Sequence, residues 1–212
     1  MFTGIVQGKA QIKVVEDMPQ LKTLQIEFPA GSLDGLAIGA SVAIQGVCLT
    51  VTGIKGATAS FDVMGETLSK TTVSDWEQGS WVNFERSAKV ADEVGGHQLS
   101  GHVDGLAEVL SIERPENNVI VSCQAPEHLR KFIFQKGFIA LNGVSLTLNN
   151  VDSTKGTFDI WLIPETLRVT TFGTLSVGET INIEIDRTTQ AIVETVERFL
   201  QQSQSENPQK TT

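Results

Sequence analysis

Tyrosine is absent from this 212-residue chain, and basic side chains are scarce, with 16 Lys and Arg against 25 Asp and Glu. The formal net charge is −9. Proteins hold a phosphate backbone through clustered basic side chains, and they hold single strands through stacked aromatic rings. The composition therefore argues against nucleic acid as a partner.

Long apolar runs and a cysteine framework are also lacking. No run approaches the ~20 residues that span a bilayer, so no membrane partner is expected. The opening "MFTGIVQGKA" has neither the basic region nor the apolar core of a secretory signal. Cys48 and Cys123 are the only cysteines, which predicts reduced thiols in a cytoplasmic protein.

What the chain does contain is an internal repeat. "QGVCLTVTGI" at 45–54 returns as "NGVSLTLNNV" at 142–151, an offset of 97 residues (142 minus 45). Further blocks align in the same order: 3–12 with 100–109, 60–64 with 157–161, and, after two extra residues in the second copy, 65–72 with 164–171 and 79–86 with 178–185. Ordered blocks of this kind predict two homologous halves, 1–97 and 98–187.

Each half has the composition of a small β-domain. Short runs rich in β-branched and aromatic residues alternate with glycines, which is typical of an all-β protein. Alternation is only partial, so periodicity alone leaves barrel and sandwich open. Residues 188–203 place Ile, Val, Phe and Leu on one helical face and need a surface to cover it. The polar stretch 204–212 is predicted to be disordered.

Three residues could carry chemistry, and each has a plain structural alternative. Cys48 is either a reactive thiol or a small core hydrophobe. His97 and His102 are five residues apart on an extended segment, which points them to opposite faces and disfavours a shared metal. Each is either a hydrogen-bonded loop histidine or an acid–base catalyst. No metal site is predicted.

The two halves differ at their reactive positions. Cys48 aligns with Ser145, His102 with Ile5, and Ser41 with Phe138, whereas scaffold residues are shared. A duplicated binder with one altered copy could hold two copies of one ligand in unlike roles. Neutral drift after duplication is the alternative.

The motifs "MFTGIVQG", "GVCLTV", "MGETL", "GGHQLSGHVDG", "NGVSLT" and "IPETL" occur in this order between residue 1 and about residue 200. Together they resemble the riboflavin synthases of the lumazine-binding-repeat family. The resemblance implies two tandem six-stranded Greek-key barrels and a C-terminal helix that holds a homotrimer. It further implies a cofactor-free dismutation in which two 6,7-dimethyl-8-ribityllumazine molecules exchange a four-carbon unit. The products are riboflavin and 5-amino-6-ribitylamino-uracil. Docking on lumazine synthase is left open.

The same resemblance implies which residues bind the substrate. In the family, one lumazine sits on each barrel, and the reaction site lies between the N-terminal barrel of one subunit and the C-terminal barrel of a neighbour. The positions that match the family's pocket segments are Gly4, Ile5, Val6, Cys48, Leu49, Thr50, Asp62, Val63, Met64, Gly65, Glu66, Thr67, Gly101, His102, Val103, Lys136, Ser145, Leu146, Thr147, Ile163, Pro164, Glu165, Thr166, Leu167, Arg168 and Asp186.

Catalytic roles are expected for His102, Cys48 and Ser41. His102 is the candidate for proton transfer, and Cys48 or Ser41 for adding to the donor ring or aligning a water that does so. The family commonly has aspartate where this chain has Asn142, so slower turnover is expected if that carboxylate helps catalysis.

Two other functions fit parts of the pattern. A non-catalytic lumazine-binding antenna would share the fold with its polar residues eroded, yet Ser41, Cys48 and His102 are all present. A ferredoxin-reductase-like flavin barrel would be followed by a βαβ nucleotide-binding domain, and no such pattern follows here. The enzyme is therefore the favoured interpretation.

Overall fold

The computed structural model describes residues 1–206 and confirms the predicted all-β class. Residues 207–212, most of the stretch predicted to be disordered, lie outside the described residues, and residues 204–206 belong to the last helix. Within the described chain, no helix is both long enough and apolar enough to cross a membrane.

The first half forms a closed six-stranded antiparallel barrel. Its strands pair in the order β1-β2-β5-β4-β3-β6, and β6 pairs back with β1. Buried side chains alternate along β2 and β5, so one face of each strand fills the barrel. The strands are β1 (Gly8–Met18), β2 (Leu21–Glu27), β3 (Ser41–Ile44), β4 (Val47–Lys55), β5 (Thr58–Met64) and β6 (Trp81–Arg86).

The second half repeats this topology with seven strands instead of the expected six. The order is β10-β9-β13-β7-β8-β12-β11, and the two outer strands, β10 and β11, are consecutive in the chain with only Leu148 between them. Asn150 has a positive φ, and the register shifts along β11, so the equivalent of β4 is broken in two. The strands are β7 (Gly105–Glu113), β8 (Val119–Gln124), β9 (Phe138–Leu141), β10 (Val144–Thr147), β11 (Asn149–Asp152), β12 (Thr157–Leu162) and β13 (Thr180–Ile185).

Short helices close one end of each barrel, and a long helix follows the second. The helices are α1 (Gly65–Lys70), α2 (Pro164–Val169) and α3 (Arg187–Glu206), and 3₁₀ turns cover Thr72–Asp75, Glu127–Phe132 and Thr171–Thr174. Each barrel has its own apolar core, and a third small cluster of Phe2, Ala43, Leu99 and Ala140 lies between them.

The joint between the barrels has approximate two-fold symmetry. Phe2 and Leu99, which are equivalent in the two halves, pair with each other in an antiparallel bridge. A Cβ at Gly46 would lie 2.7 Å from the Gly143 nitrogen, and one at Gly143 would lie 2.8 Å from the Gly46 nitrogen. The two turns therefore meet backbone to backbone, where only glycine fits.

Two buried asparagines bind across this joint in matching ways. The Asn83 amide donates to the carbonyl of Asn142 (3.0 Å), and its oxygen accepts from the Thr171 N–H (2.8 Å). The Asn182 amide donates to the Gln45 carbonyl (2.9 Å), and its oxygen accepts from the Thr72 N–H (2.8 Å). Each asparagine thus satisfies backbone groups that the contact between barrels removes from water.

Candidate functional site

The segment that precedes each barrel lies against the other barrel. The Cys48 N–H donates to the carbonyl of Gly101 (2.8 Å), and the Ser145 N–H donates to the carbonyl of Gly4 (2.9 Å). Gly4 and Gly101 both have positive φ, and an added Cβ would lie 2.5 Å from the Ser145 Cβ or 2.6 Å from the Cys48 Cβ. Each barrel therefore carries on its outer face a segment that belongs to the other half.

This contact forms what we call the N-terminal seat. It is a cavity of about 230 Å³ between β4, α1 and the segment of the second half. Two of the three predicted catalytic residues, Cys48 and His102, lie in it together. The lining residues are Val47, Cys48, Glu66, Thr67, Lys70, Thr71, Gly101, His102 and Val103.

We call the equivalent surface on the second barrel, around Ser145 and the segment 4–6, the C-terminal seat. Val6 packs against the second core as Val103 packs against the first, which shows that the two segments lie alike. Ser145 and the exposed Ile5 stand where the N-terminal seat has Cys48 and His102. The two seats thus share a frame and differ in their reactive side chains.

Ser41, the third predicted catalytic residue, does not line the cavity of the N-terminal seat. On β3, Ser41 pairs with Thr50 and Ala43 pairs with Cys48, so all four side chains project from the outer face of the first barrel. Ser41 is a diagonal neighbour of Cys48, for which the usual separation is about 7–8 Å. It lines a neighbouring cavity with Arg86 and Ser87.

Several predicted binding positions turn their side chains inward. Leu49 and Val63 belong to the first core, and Leu146 and Leu167 pack against the second. The buried Leu49 and Val63 can offer a ligand only main-chain groups. In contrast, the side chains of Thr50, Asp62, Met64, Thr147, Ile163 and Pro164 are exposed, and the Asp62 carboxylate accepts from the Thr23 hydroxyl at 2.7 Å.

The acidic residues of the two short helices are paired in the same way. The Lys70 ammonium donates to Glu66 at 2.8 Å and is the main cause of the lowered pKa of Glu66. Arg168 donates to Glu165 at 2.6 and 2.9 Å and likewise lowers the pKa of Glu165. Both carboxylates are therefore ionised acceptors at neutral pH, beside the half-buried hydroxyls of Thr67 and Thr166 and, on α1, the half-buried Gly65.

Lys136 lies near the outer edge of the C-terminal seat. Its ammonium donates to the Asn149 side-chain oxygen (2.8 Å), and the Asn149 amide donates to the Thr147 carbonyl (3.2 Å). These two hydrogen bonds connect Lys136 to Thr147 on β10, two residues from Ser145.

A histidine that the sequence left undecided, His97, is part of the C-terminal seat. It is buried, and its Nδ1 is 2.6 Å from the Ser145 Oγ. Its ring stacks on Phe138 with centroids 5.3 Å apart, and its Nε2 has no hydrogen-bond partner among the described residues. In the sequence, the two glycines before His97 were the available signal of close packing there. A Cβ at Gly96 would lie 2.3 Å from the Thr3 carbonyl oxygen.

Asp186 and Asn142 both make hydrogen bonds that hold the fold. Asp186 accepts from the N–H (2.9 Å) and hydroxyl (2.7 Å) of Thr189 and so caps α3. Burial raises the pKa of Asp186, but these bonds outweigh it and the pKa is lowered. Asn142 lies in the joint between barrels, where its side-chain oxygen accepts from the Asn182 N–H (2.9 Å). A neutral amide fills this acceptor role as well as a carboxylate would.

The buried His97 should make stability depend on pH. Burial lowers its pKa from 6.5, although the Asp186 carboxylate opposes this. The unfolded chain then binds the proton more readily than the folded one. The stability due to neutral His97 is complete above about pH 6.5 and is lost as pH falls through the lower folded pKa.

We therefore expect the unfolding free energy to fall more steeply between about pH 7 and pH 5 in the wild type than in His97→Phe. The phenylalanine keeps a ring against Phe138 but does not titrate. Urea unfolding at each pH measures both slopes, and His128→Phe, at an exposed histidine, should keep the wild-type slope. Equal slopes for the wild type and His97→Phe would contradict this account.

Comparisons with known proteins agree with this geometry. The family described as "Lumazine binding domain" matches twice, over residues 3–87 and 100–186. Riboflavin synthase of Escherichia coli strain K12 is 50% identical over 201 residues, covering 94% of this chain and 93% of that protein. Riboflavin synthase of Chlamydia pneumoniae is 42% identical over 203 residues, covering 96% of this chain and 98% of that protein.

Among solved structures, LumP complexed with riboflavin superposes with a TM-score of 0.81 at 29% identity, covering 87% of this chain and 99% of that one. LumP complexed with 6,7-dimethyl-8-(1'-D-ribityl) lumazine gives a TM-score of 0.79, also at 29% identity and with the same coverage. The family matches together span most of the chain, in two copies that coincide with the two barrels. The chain belongs to the lumazine-binding family.

Proposed function

We propose that this protein is a riboflavin synthase. It converts two molecules of 6,7-dimethyl-8-ribityllumazine into riboflavin and 5-amino-6-ribitylamino-uracil by moving a four-carbon unit from one to the other. The observation that carries this proposal is the pair of seats with one frame and unlike polar groups, Cys48 and His102 in one and Ser145 with His97 in the other.

Two equivalent seats suit a reaction in which one compound is both donor and acceptor. Holding both rings in register replaces a bimolecular encounter and can lower the barrier by up to about 7–11 kcal/mol. The acceptor must lose a proton from its 7-methyl group, and the resulting anion spreads over the ring. Fixed donors aimed at that ring stabilise the anion.

His102 is the candidate for this proton transfer. Its side chain is exposed at the N-terminal seat, while its backbone is held from both sides by the Ser100 hydroxyl (3.2 Å) and by Arg187 (2.6 Å). Cys48, half-buried beside it, is the candidate for adding to the donor ring, and Ser41 for placing a water on the same face. A free thiol at this position works only when reduced, so we also propose a cytoplasmic location, which cell fractionation would test.

We further propose that α3 assembles the protein into a homotrimer, with each reaction site between two subunits. Val193 packs against the second core and Lys131 pairs with Glu197, which fixes one side of the helix on its own barrel. Four apolar side chains remain more than half exposed: Ile192, Val196, Phe199 and Leu200. Sedimentation equilibrium should give three times the 22.9 kDa chain mass, and a monomer would contradict the proposal.

The second candidate function is binding without turnover. It is favoured by the likeness to LumP, which has been solved with riboflavin, with flavin mononucleotide and with the lumazine. The presence of Cys48, His102 and Ser41 on one face argues for the enzyme instead.

Incubation with the lumazine alone separates these functions. For the synthase, riboflavin absorbance grows until half of the lumazine has become riboflavin, with no added cofactor. His102→Gln should then slow turnover by about 10²-fold while changing ligand affinity little, because a general acid–base group acts mainly on the barrier. Cys48→Ala should also slow turnover more than it weakens binding.

His128→Gln provides the matched control, since His128 is exposed and does not line the cavity of the N-terminal seat. Lumazine that stays bound and unchanged would refute the synthase. Normal turnover by both seat variants would refute the assignment of these two residues.

A further inference from the structure

Two buried carboxylates lie between the barrels, outside the seats already described. Glu184, on β13, is 3% exposed and accepts from the Ser100 N–H (2.7 Å), the Ser100 hydroxyl (2.7 Å) and the Gly101 N–H (3.0 Å). Burial raises the pKa of Glu184, and these donors lower it. The carboxylate therefore holds the Ser100–Gly101 segment through three hydrogen bonds.

Glu85, on β6, makes the same set of bonds in the first half. It accepts from the Thr3 N–H (2.6 Å), the Thr3 hydroxyl (2.8 Å) and the Gly4 N–H (3.0 Å). Its burial likewise raises its pKa. Two carboxylates in equivalent places thus hold two equivalent segments.

Each held segment forms the wall of the seat on the opposite barrel. Gly101, which Glu184 binds, lies against Cys48 of the first barrel, and His102 and Val103 follow it into the N-terminal seat. Gly4, which Glu85 binds, lies against Ser145 of the second barrel. A carboxylate on a strand of one barrel therefore holds the segment that forms the wall of the seat on the other barrel.

We propose that Glu184 and Glu85 are positioning residues for ligand binding, and that each governs the seat on the opposite barrel. Glu184 governs the seat that contains Cys48, and Glu85 governs the seat that contains Ser145. The proposal rests on the proposed function only for its choice of ligand.

The chemistry of the carboxylate suits this role better than that of a neutral amide. A carboxylate has two accepting oxygens and no donor, which suits three converging donors. Glutamine keeps the shape but puts an NH₂ group against one of those donors. Glu184→Gln should therefore release the Gly101 end of its segment without leaving a cavity.

Cysteine chemistry offers a separate reporter for each seat. Cys48 is half-buried in the N-terminal seat, whereas Cys123 is fully buried and burial raises its pKa to about 12. Iodoacetamide should therefore alkylate Cys48 and leave Cys123 intact. In a Cys48→Ser background, Ser145→Cys places the reporting thiol in the C-terminal seat. Protection of each thiol by riboflavin then measures the binding at one seat.

The test adds Glu184→Gln or Glu85→Gln to both reporter proteins. We expect Glu184→Gln to raise the riboflavin concentration for half-protection about tenfold at Cys48, and less than twofold at the thiol introduced by Ser145→Cys. Glu85→Gln should do the reverse. Equal effects at both seats, effects at the seat on the same barrel, or no effect at either would overturn the proposal.

Milder variants keep the test decisive if a glutamine variant does not fold. Ser100→Ala and Thr3→Ala each remove one hydroxyl donor and leave the carboxylate with two N–H donors. We expect about threefold weaker protection, again only at the opposite seat. Loss of selectivity in these variants would overturn the proposal just as plainly.

The alkylation rate without ligand separates this proposal from the proposed function. If riboflavin protects neither thiol in the reporter proteins, the ligand assignment fails. Even then, Glu184→Gln should speed alkylation of Cys48 about tenfold, because a released segment 101–103 uncovers Cys48. The alkylation rate of the thiol introduced by Ser145→Cys should stay unchanged. Unchanged rates would overturn the positioning role by itself.

Discussion

The close backbone contact between the two barrels is the constraint on which the rest of the structure depends. Gly46 and Gly143 meet where no Cβ fits, and Phe2 pairs with Leu99 beside them. This contact brings the segment before each barrel within reach of the other barrel's outer face. Without it, neither Gly101 could reach Cys48 nor Gly4 reach Ser145. Both seats are therefore products of the joint and not of either barrel alone.

The same joint explains how one frame can carry two chemistries. The backbone hydrogen bonds at Cys48 and Ser145 are alike, so the frame is fixed by main chain and glycines. The reactive side chains stand on that frame and can differ without disturbing it. In the second half, the linker before the segment also brings His97 onto Ser145 and Phe138. A symmetric backbone frame with unlike side chains suits a reaction in which two identical molecules play different roles.

Much of the fold could be predicted because the repeat is visible in the residues themselves. The aligned blocks predicted two homologous β-domains, the apolar face of residues 188–203 predicted the last helix, and the resemblance added the closed barrels. The split of one strand at Leu148 could not be predicted, since it follows from the left-handed Asn150 and a local register shift.

The contact of each segment with the opposite barrel was missed for a related reason. Aligning two halves reveals which residues are equivalent, but not which half a segment contacts. His97, Glu85 and Glu184 act through such contacts between distant residues, so spacing alone could not single them out. Asn142, which stands where the family commonly has aspartate, lies in the joint, and its side-chain oxygen accepts a backbone N–H.

The central claim is that each chain offers two seats, built on one backbone frame, for the same flat ring. Equilibrium dialysis against riboflavin, carried to saturation, tests it most directly because it counts bound molecules without requiring turnover. The account predicts two riboflavin molecules bound per chain, with unequal affinities because Cys48 and Ser145 differ. Saturation at one molecule per chain would contradict it.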